Sequence, residues 1–177
     1  MREGELLALR WEDVCLEAAK SAVLVRCTLT HGENGRGWVV GASTKSGQGR
    51  RVRLTRQAAS ALKDHCKRPL EEQLRLAGLW QDQGLVFRNE SGSLFNPSNL
   101  RNRSFKRINA QANVREDLRF HDLRHTCATL PLSEGVNVKV VSELLGHASI
   151  TITLSTYSRV LPDMQDSAAD AMEAALS

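Results

Sequence analysis

His121-Asp122-Leu123-Arg124-His125 sets an imidazole three residues from a guanidinium, and on a helix residues at that spacing share a face. Such a pair offers a titratable donor beside a planar, permanently charged fork suited to phosphate oxygens. His121 and His125 are four apart, which also suits a zinc pair. Arg124 between them would oppose a cation, and no carboxylate cluster supplies further ligands, so no metal is expected. Downstream, Leu144-Leu145-Gly146-His147 brings another histidine, and Tyr157, the only tyrosine of the chain, follows ten residues later. Its neighbours Ser155, Thr156, Ser158 and Arg159 form a polar patch, which predicts a phenol within reach of solvent or a ligand. Near the start, Arg2 stands one helical turn before Glu5, the spacing of a surface ion pair. Lys45 sits in Thr44-Lys45-Ser46-Gly47, a polar loop tip. Singly, these residues read as a satisfied core histidine, a packing aromatic, a surface arginine and a loop lysine.

The elements that must position them are short and mostly helical. Glu5 to Trp11 is helix-like, with apolar residues at Leu6 and Leu9. Ala22 to Thr30 reads as one strand and Trp38 to Val40 as the start of another, with Gly32, Gly35 and Gly37 marking the turn between them. After the tip Ser43 to Gly49, Arg50 to Leu54 alternates as a third strand. Thr55 can cap a helix from Arg56 that Pro69 kinks before it resumes through Ala77. Leu85-Val86-Phe87 predicts a short strand, and Asn96-Pro97 opens another helix. From Asp122 onward the reading is helical: 122–134, ended by Gly135; 138–145, ended by Gly146; 149–158; and 162–175. Pro131 falls inside the first of these and is expected to bend it. The fold class is α+β, mainly α, with a small antiparallel β-sheet at one edge and a single domain over 1–177.

Composition narrows the function classes. Of the 177 residues, 41% are hydrophobic and 25% charged, which excludes a disordered chain. No apolar run reaches the roughly 18 residues of a membrane span, and the first ten residues lack a signal-peptide core, so a cytoplasmic location away from membranes is expected. Cys15, Cys27, Cys66 and Cys127 show no metal-finger spacing and read as reduced, mostly buried thiols. The net charge of +4 is unevenly spread. Nine Lys or Arg residues and one acid lie between Arg36 and Arg68, and seven more bases against three acids lie between Arg101 and Arg124. Two basic blocks on a mixed-charge chain suggest a polyanion as partner.

Together and in this order, these residues resemble the tyrosine recombinase (phage integrase) family. The stretches that carry the likeness are MREGELLALRW, STKSGQGRRVRL, RFHDLRHTCATL and VVSELLGHASITITLSTYSRV, and they span nearly the whole chain. The resemblance implies a catalytic domain that joins DNA strands through a 3′-phosphotyrosyl intermediate, without cofactor or metal. Arg2 and Arg124 correspond to the arginines that clamp the scissile phosphate, and Lys45 to the β-hairpin lysine that protonates the leaving 5′-oxygen. His121 corresponds to the base, His147 to the second phosphate-holding histidine and Tyr157 to the nucleophile. The partners implied are duplex DNA and other protomers, a tetramer on DNA in the family, with docking through the C-terminal helix and its stripe Leu161, Met164, Ala168 and Met172. Arg50, Arg51, Arg53, Asn99, Arg101 and Arg103 are the expected DNA contacts, alongside Asn102. The family's N-terminal core-binding domain and the first helix of its catalytic domain do not precede Arg2 in this sequence. Two alternatives stand beside this reading: a noncatalytic DNA-binding remnant of an integrase, and a topoisomerase-like enzyme that relaxes supercoils with the same chemistry.

Overall fold

Val23 and Val25 are buried while Leu24 between them is exposed, the alternation of a strand lying on a core, and Ala22 at its start is buried as well. This computed structural model describes residues 1–17, 20–32, 35, 37–41, 49–67, 83–158 and 172–176. Within the expected domain 1–177 the chain clusters into two units, Met1–Asp122 and Leu123–Ser177.

The first unit begins with helix α1 (Glu3–Leu7), shorter than the expected 5–11. Ala8 closes it, and a 3-10 turn at Trp11–Asp13 leads into strand β1 (Val14–Cys15). The stretch expected as one strand from Ala22 is two: β2 (Ala22–Val25) and β3 (Thr28–His31). They belong to different sheets, and the break falls at Arg26, whose guanidinium pairs with Asp13 at 2.5 Å and Glu12 at 3.2 Å. β3 pairs antiparallel with β4 (Trp38–Gly41) in a two-stranded sheet. β2 lies between β1 and β5 (Arg50–Arg53) in a three-stranded antiparallel sheet, with Val23 opposite Val52 and Val25 opposite Arg50. Leu85 to Phe87, expected as a strand, supplies only a bridge from Leu85 to Arg10.

Helix α2 (Arg56–Lys67) starts on Thr55, whose Oγ1 accepts the Ala58 N–H at 3.2 Å. The expected kink at Pro69 and the continuation to Ala77 lie outside the described residues. Asn96 caps the next helical run by accepting the Ser98 N–H at 2.8 Å. That run, α3, passes from Pro97–Asn99 through a π-wound Leu100–Phe105 into Lys106–Gln111. Leu9, Val23, Val25 and Val86 form one core cluster of this unit, and Leu7, Ala8 and Leu29 another.

The second unit is built on α4 (Asp122–Ser133, whose first residue closes the first unit), α5 (Val138–Leu145) and α6 (Ile150–Tyr157). Pro131 lies in the last turn of α4, where its missing N–H forfeits one backbone bond. Its carbonyl accepts the Val136 N–H at 2.9 Å around Gly135, which has a φ of 75°. Ala128, Leu132, Val141, Leu145 and Tyr157 are the core here. The helical 172–176 is exposed; the rest of the expected C-terminal helix, with Leu161, Met164 and Ala168, lies outside the described residues.

The cysteines depart from expectation. Cys66 and Cys127 are exposed and Cys15 and Cys27 only half-buried. Among the described residues no helix is long and apolar enough to cross a membrane.

Candidate active site

Each unit contains a polar cluster of its own. In the second, Arg124 falls in the first turn of α4 with a buried side chain. Its Nη2 donates to the Leu145 carbonyl at 2.6 Å, which fixes the guanidinium against the end of α5. That carbonyl is available because α5 terminates there. Gly146 takes the left-handed conformation at φ 67° and ψ 47°, and the His147 N–H bonds back to the Ser142 carbonyl at 3.1 Å. The closure is a Schellman turn, which glycine adopts without the steric penalty of a Cβ. It delivers His147 to the start of α6, where Nδ1 lies 2.8 Å from Thr153 Oγ1.

Thr153 and Tyr157 are one turn apart on the buried face of α6, at 0% and 4% exposure. The expectation of a phenol open to solvent is therefore corrected. Ser155, Thr156 and Ser158 are exposed, because one helix turn spreads them over the other faces. The Tyr157 hydroxyl lies 2.9 Å from Nδ1 of His125, and the two rings are 5.8 Å apart. Burial pushes this phenol above its ordinary pKa, and the positive charge of Arg124 acts against that rise. His125 has no role in the expected catalytic set. Its signal was its place beside Arg124 in the same pentapeptide, weighed there only for zinc.

In the first unit, Arg2 is the N-cap of α1, and its N–H donates to Glu5 Oε2 at 2.7 Å, the return leg of a capping box. Its Nη1 reaches Glu5 Oε1 at 3.0 Å. Glu5 is not half of a surface pair: its side chain is 1% exposed, and Arg50 also grips it, Nη1 at 3.1 Å and Nη2 at 2.6 Å. Burial is the largest influence on this carboxyl and would raise its pKa. The hydrogen bonds from Arg50 and the Arg2 backbone, with the charge of Arg50, outweigh it and hold Glu5 at about 2 rather than 4.5.

Arg50, grouped with the DNA contacts by sequence, is thus turned inward onto Glu5. Strand alternation explains it: Arg50 and Val52 face in, while Arg51 and Arg53 face out and are exposed. Asn99, Arg101, Asn102 and Arg103 are exposed in α3, with Arg101 Nη1 donating to Glu3 Oε2 at 2.7 Å. His121 is exposed in the turn immediately before α4 and not within the helix. Asp122 accepts the Arg119 N–H at 2.9 Å in that turn. Lys45 lies outside the described residues. Among the described residues, no group of three or more His, Cys, Asp or Glu side chains could hold a metal ion.

A model described as the phage integrase family matches residues 1–164. The chain is 32% identical over 180 residues to a tyrosine recombinase XerC-like protein of Caldanaerobacter subterraneus subsp. tengcongensis, covering 97% of this chain and 46% of that protein. It is 26% identical over 176 residues to the ICEBs1 integrase of Bacillus subtilis, covering 98% and 45%. Among solved structures, the Tn1549 transposon integrase in complex with transposon right end DNA matches with a TM-score of 0.72 at 21% identity, over 100% of this chain and 55% of that one. XerH recombinase bound to palindromic difH substrate, a post-cleavage complex, matches at 0.65 with 26% identity, over 98% and 42%. The chain therefore spans about half the length of the relatives it matches.

Proposed function

The chain belongs to the phage integrase family, and on that premise we propose that it is the catalytic domain of a site-specific DNA recombinase that works through a 3′-phosphotyrosyl intermediate. The observation that carries this reading is the second unit's cluster, with Arg124 pinned to the end of α5 and the only tyrosine held within reach of its charge. A guanidinium fixed by a backbone carbonyl loses little freedom when it receives a phosphate oxygen, and its charge favours both the pentavalent transition state and the phenolate.

In this reaction Tyr157 attacks the scissile phosphorus, and the bond to the 5′-oxygen breaks. Arg124 and Arg2 hold the non-bridging oxygens, His147 hydrogen-bonds to the phosphate, and His121 takes the proton from Tyr157 as it attacks. Lys45 protonates the leaving oxygen. The 5′-hydroxyl of a second strand then attacks the phosphotyrosyl link, returning the tyrosine and completing exchange without an external energy source. Because each protomer cuts one strand, exchange requires other protomers on the duplex. Arg51, Arg53, Asn99, Arg101 and Arg103 supply backbone contacts that set the register of the protein on DNA. The reaction takes place in the cytoplasm.

The test is covalent trapping. The chain is incubated with duplexes nicked near the cleavage point, their flanking sequence randomised, and separated under denaturing conditions. A protein–DNA band that disappears in Tyr157→Phe supports the reading. DNA binding with no covalent band in the unsubstituted chain overturns it in favour of a noncatalytic binding module. Relaxation of supercoils without pairing of sites would indicate topoisomerase-like action.

A further inference from the structure

We propose that Thr153 is a positioning residue for the reaction. Its hydroxyl donates to Nδ1 of His147 and so places the ring proton on Nε2, the nitrogen offered to the scissile phosphate. This rests on the reading above, in which His147 hydrogen-bonds to the phosphate, and deepens it by naming the nitrogen and the group that selects it. Every residue involved lies in the second unit. Thr153 Oγ1 is 2.8 Å from Nδ1 of His147. Thr153 is 0% exposed within α6, and the histidine is half-buried just before that helix.

A buried hydroxyl carries a proton that must find an acceptor, because leaving it unpaired costs its full desolvation. Helical serines and threonines commonly give that proton to a carbonyl of the preceding turn. Two neighbours do so: Thr156 and Ser155 donate to the Ile152 carbonyl at 2.7 and 3.2 Å. Thr153 does otherwise. Among the described residues, the partner of its hydroxyl is Nδ1 of His147. A ring protonated at Nδ1 would donate to Oγ1 and leave the threonine proton with no acceptor among those residues. A ring protonated at Nε2 accepts it, so the hydrogen bond selects that tautomer. The ring makes other contacts as well; the hydroxyl decides only which nitrogen carries the proton. Valine has the same shape and buries no hydroxyl, so packing alone gives no reason for threonine here. The main chain of His147 is held separately, its N–H on the Ser142 carbonyl at 3.1 Å. With backbone and ring fixed by different partners, the imidazole meets the phosphate already oriented. Thr153 and Tyr157 are one turn apart on the buried face of α6. One helix therefore carries both the nucleophile and the group that orients a phosphate donor.

The experiment compares the unsubstituted chain with Thr153→Val and Thr153→Ser in two ways. The His147 ring nitrogens are read by 15N NMR without DNA, and single-turnover trapping rates are measured on saturating nicked, randomised duplexes. Urea unfolding checks that each variant is folded. The unsubstituted chain should show an unprotonated, hydrogen-bonded Nδ1 and a protonated Nε2. Thr153→Val keeps the shape and removes the donor. It should lose that Nδ1 signature and trap about 10–100-fold more slowly, with duplex affinity close to that of the unsubstituted chain. Thr153→Ser should restore the tautomer and most of the rate, which a role confined to the packing of the threonine methyl would not. A protonated Nδ1 in the unsubstituted chain overturns the proposal, and so does an unchanged trapping rate in folded Thr153→Val. Should the valine variant not fold, the tautomer of the unsubstituted chain still decides. Absence of any covalent band in the unsubstituted chain overturns the recombinase reading itself while the tautomer remains measurable, which keeps the two failures apart.

Discussion

Glu5 and Arg50 meet carboxylate to guanidinium across 45 residues of sequence, both Arg50 nitrogens on the two Glu5 oxygens at 3.1 and 2.6 Å. The acid is on the first helix and the base on the inner face of β5, so the pair ties the helix capped by Arg2 to that strand. Because Glu5 also accepts the Arg2 backbone and side chain, one buried carboxylate organises two arginines. Removing one partner of a buried pair leaves the other uncompensated, at a cost of about 3–5 kcal/mol. Arg50→Leu and Glu5→Leu are expected to lower the unfolding free energy, measured by urea denaturation, by amounts in that range. The double substitution is expected to cost less than the sum of the two, measured as a double-mutant cycle.

The same carboxylate sets an acid limit. Its pKa is about 2 in the folded chain against an ordinary 4.5, so the unfolded chain takes up the proton first as pH falls. Its stabilisation is complete above about 4.5 and is lost progressively as pH drops toward 2. Glu5→Gln should flatten this stretch of a stability–pH curve measured by chemical denaturation. A curve equally steep in that variant would assign the acid sensitivity to other carboxylates.

DNA affinity should separate the three arginines of β5. Arg51 and Arg53 face outward and Arg50 inward. Each phosphate contact contributes about −0.9 to the slope of log affinity against log salt. Arg51→Gln and Arg53→Gln are each expected to make that slope shallower by about this amount, and Arg50→Gln to leave it unchanged. Titrations of labelled duplex at several salt concentrations read the difference directly.

Gly146 carries a conformation that a side chain resists. At φ 67° an alanine costs about 1–2 kcal/mol. Gly146→Ala should therefore destabilise the chain by that amount in thermal or urea unfolding. It should also slow covalent trapping, since the turn holds both the Leu145 carbonyl that grips Arg124 and the His147 beyond it.

Tyr157 needs a conservative probe because it belongs to the core. Truncation to alanine removes a ring packed with Ala128, Leu132, Val141 and Leu145 and should cost about 3–5 kcal/mol. Phenylalanine keeps the ring and forfeits one hydrogen bond, about 0.5–1.5 kcal/mol. Trapping is expected to vanish in both, but only the phenylalanine variant, shown folded by its unfolding curve, isolates the loss of the nucleophile.

How much of this was legible beforehand follows from range. Signals that act within a few residues were readable: the Asn96-Pro97 start of α3, the glycines that stop α4 and α5, the alternation of β5, and the family likeness carried by short stretches around Arg2, Arg124, His147 and Tyr157. A cap or a left-handed turn is decided by the residues that form it. What depends on partners distant in the chain was not. The strand expected from Ala22 to Thr30 divides between two sheets, β2 pairing with β1 and β5 and β3 with β4, and no local pattern encodes those partners. Arg50 reads as a phosphate contact until Glu5 is found buried against it. The phenol of Tyr157 reads as exposed until α4 and α5 cover it and bring His125 to its hydroxyl. Backbone preferences are local and additive along the sequence, whereas burial and ion pairing are properties of surfaces that exist only once the helices have packed.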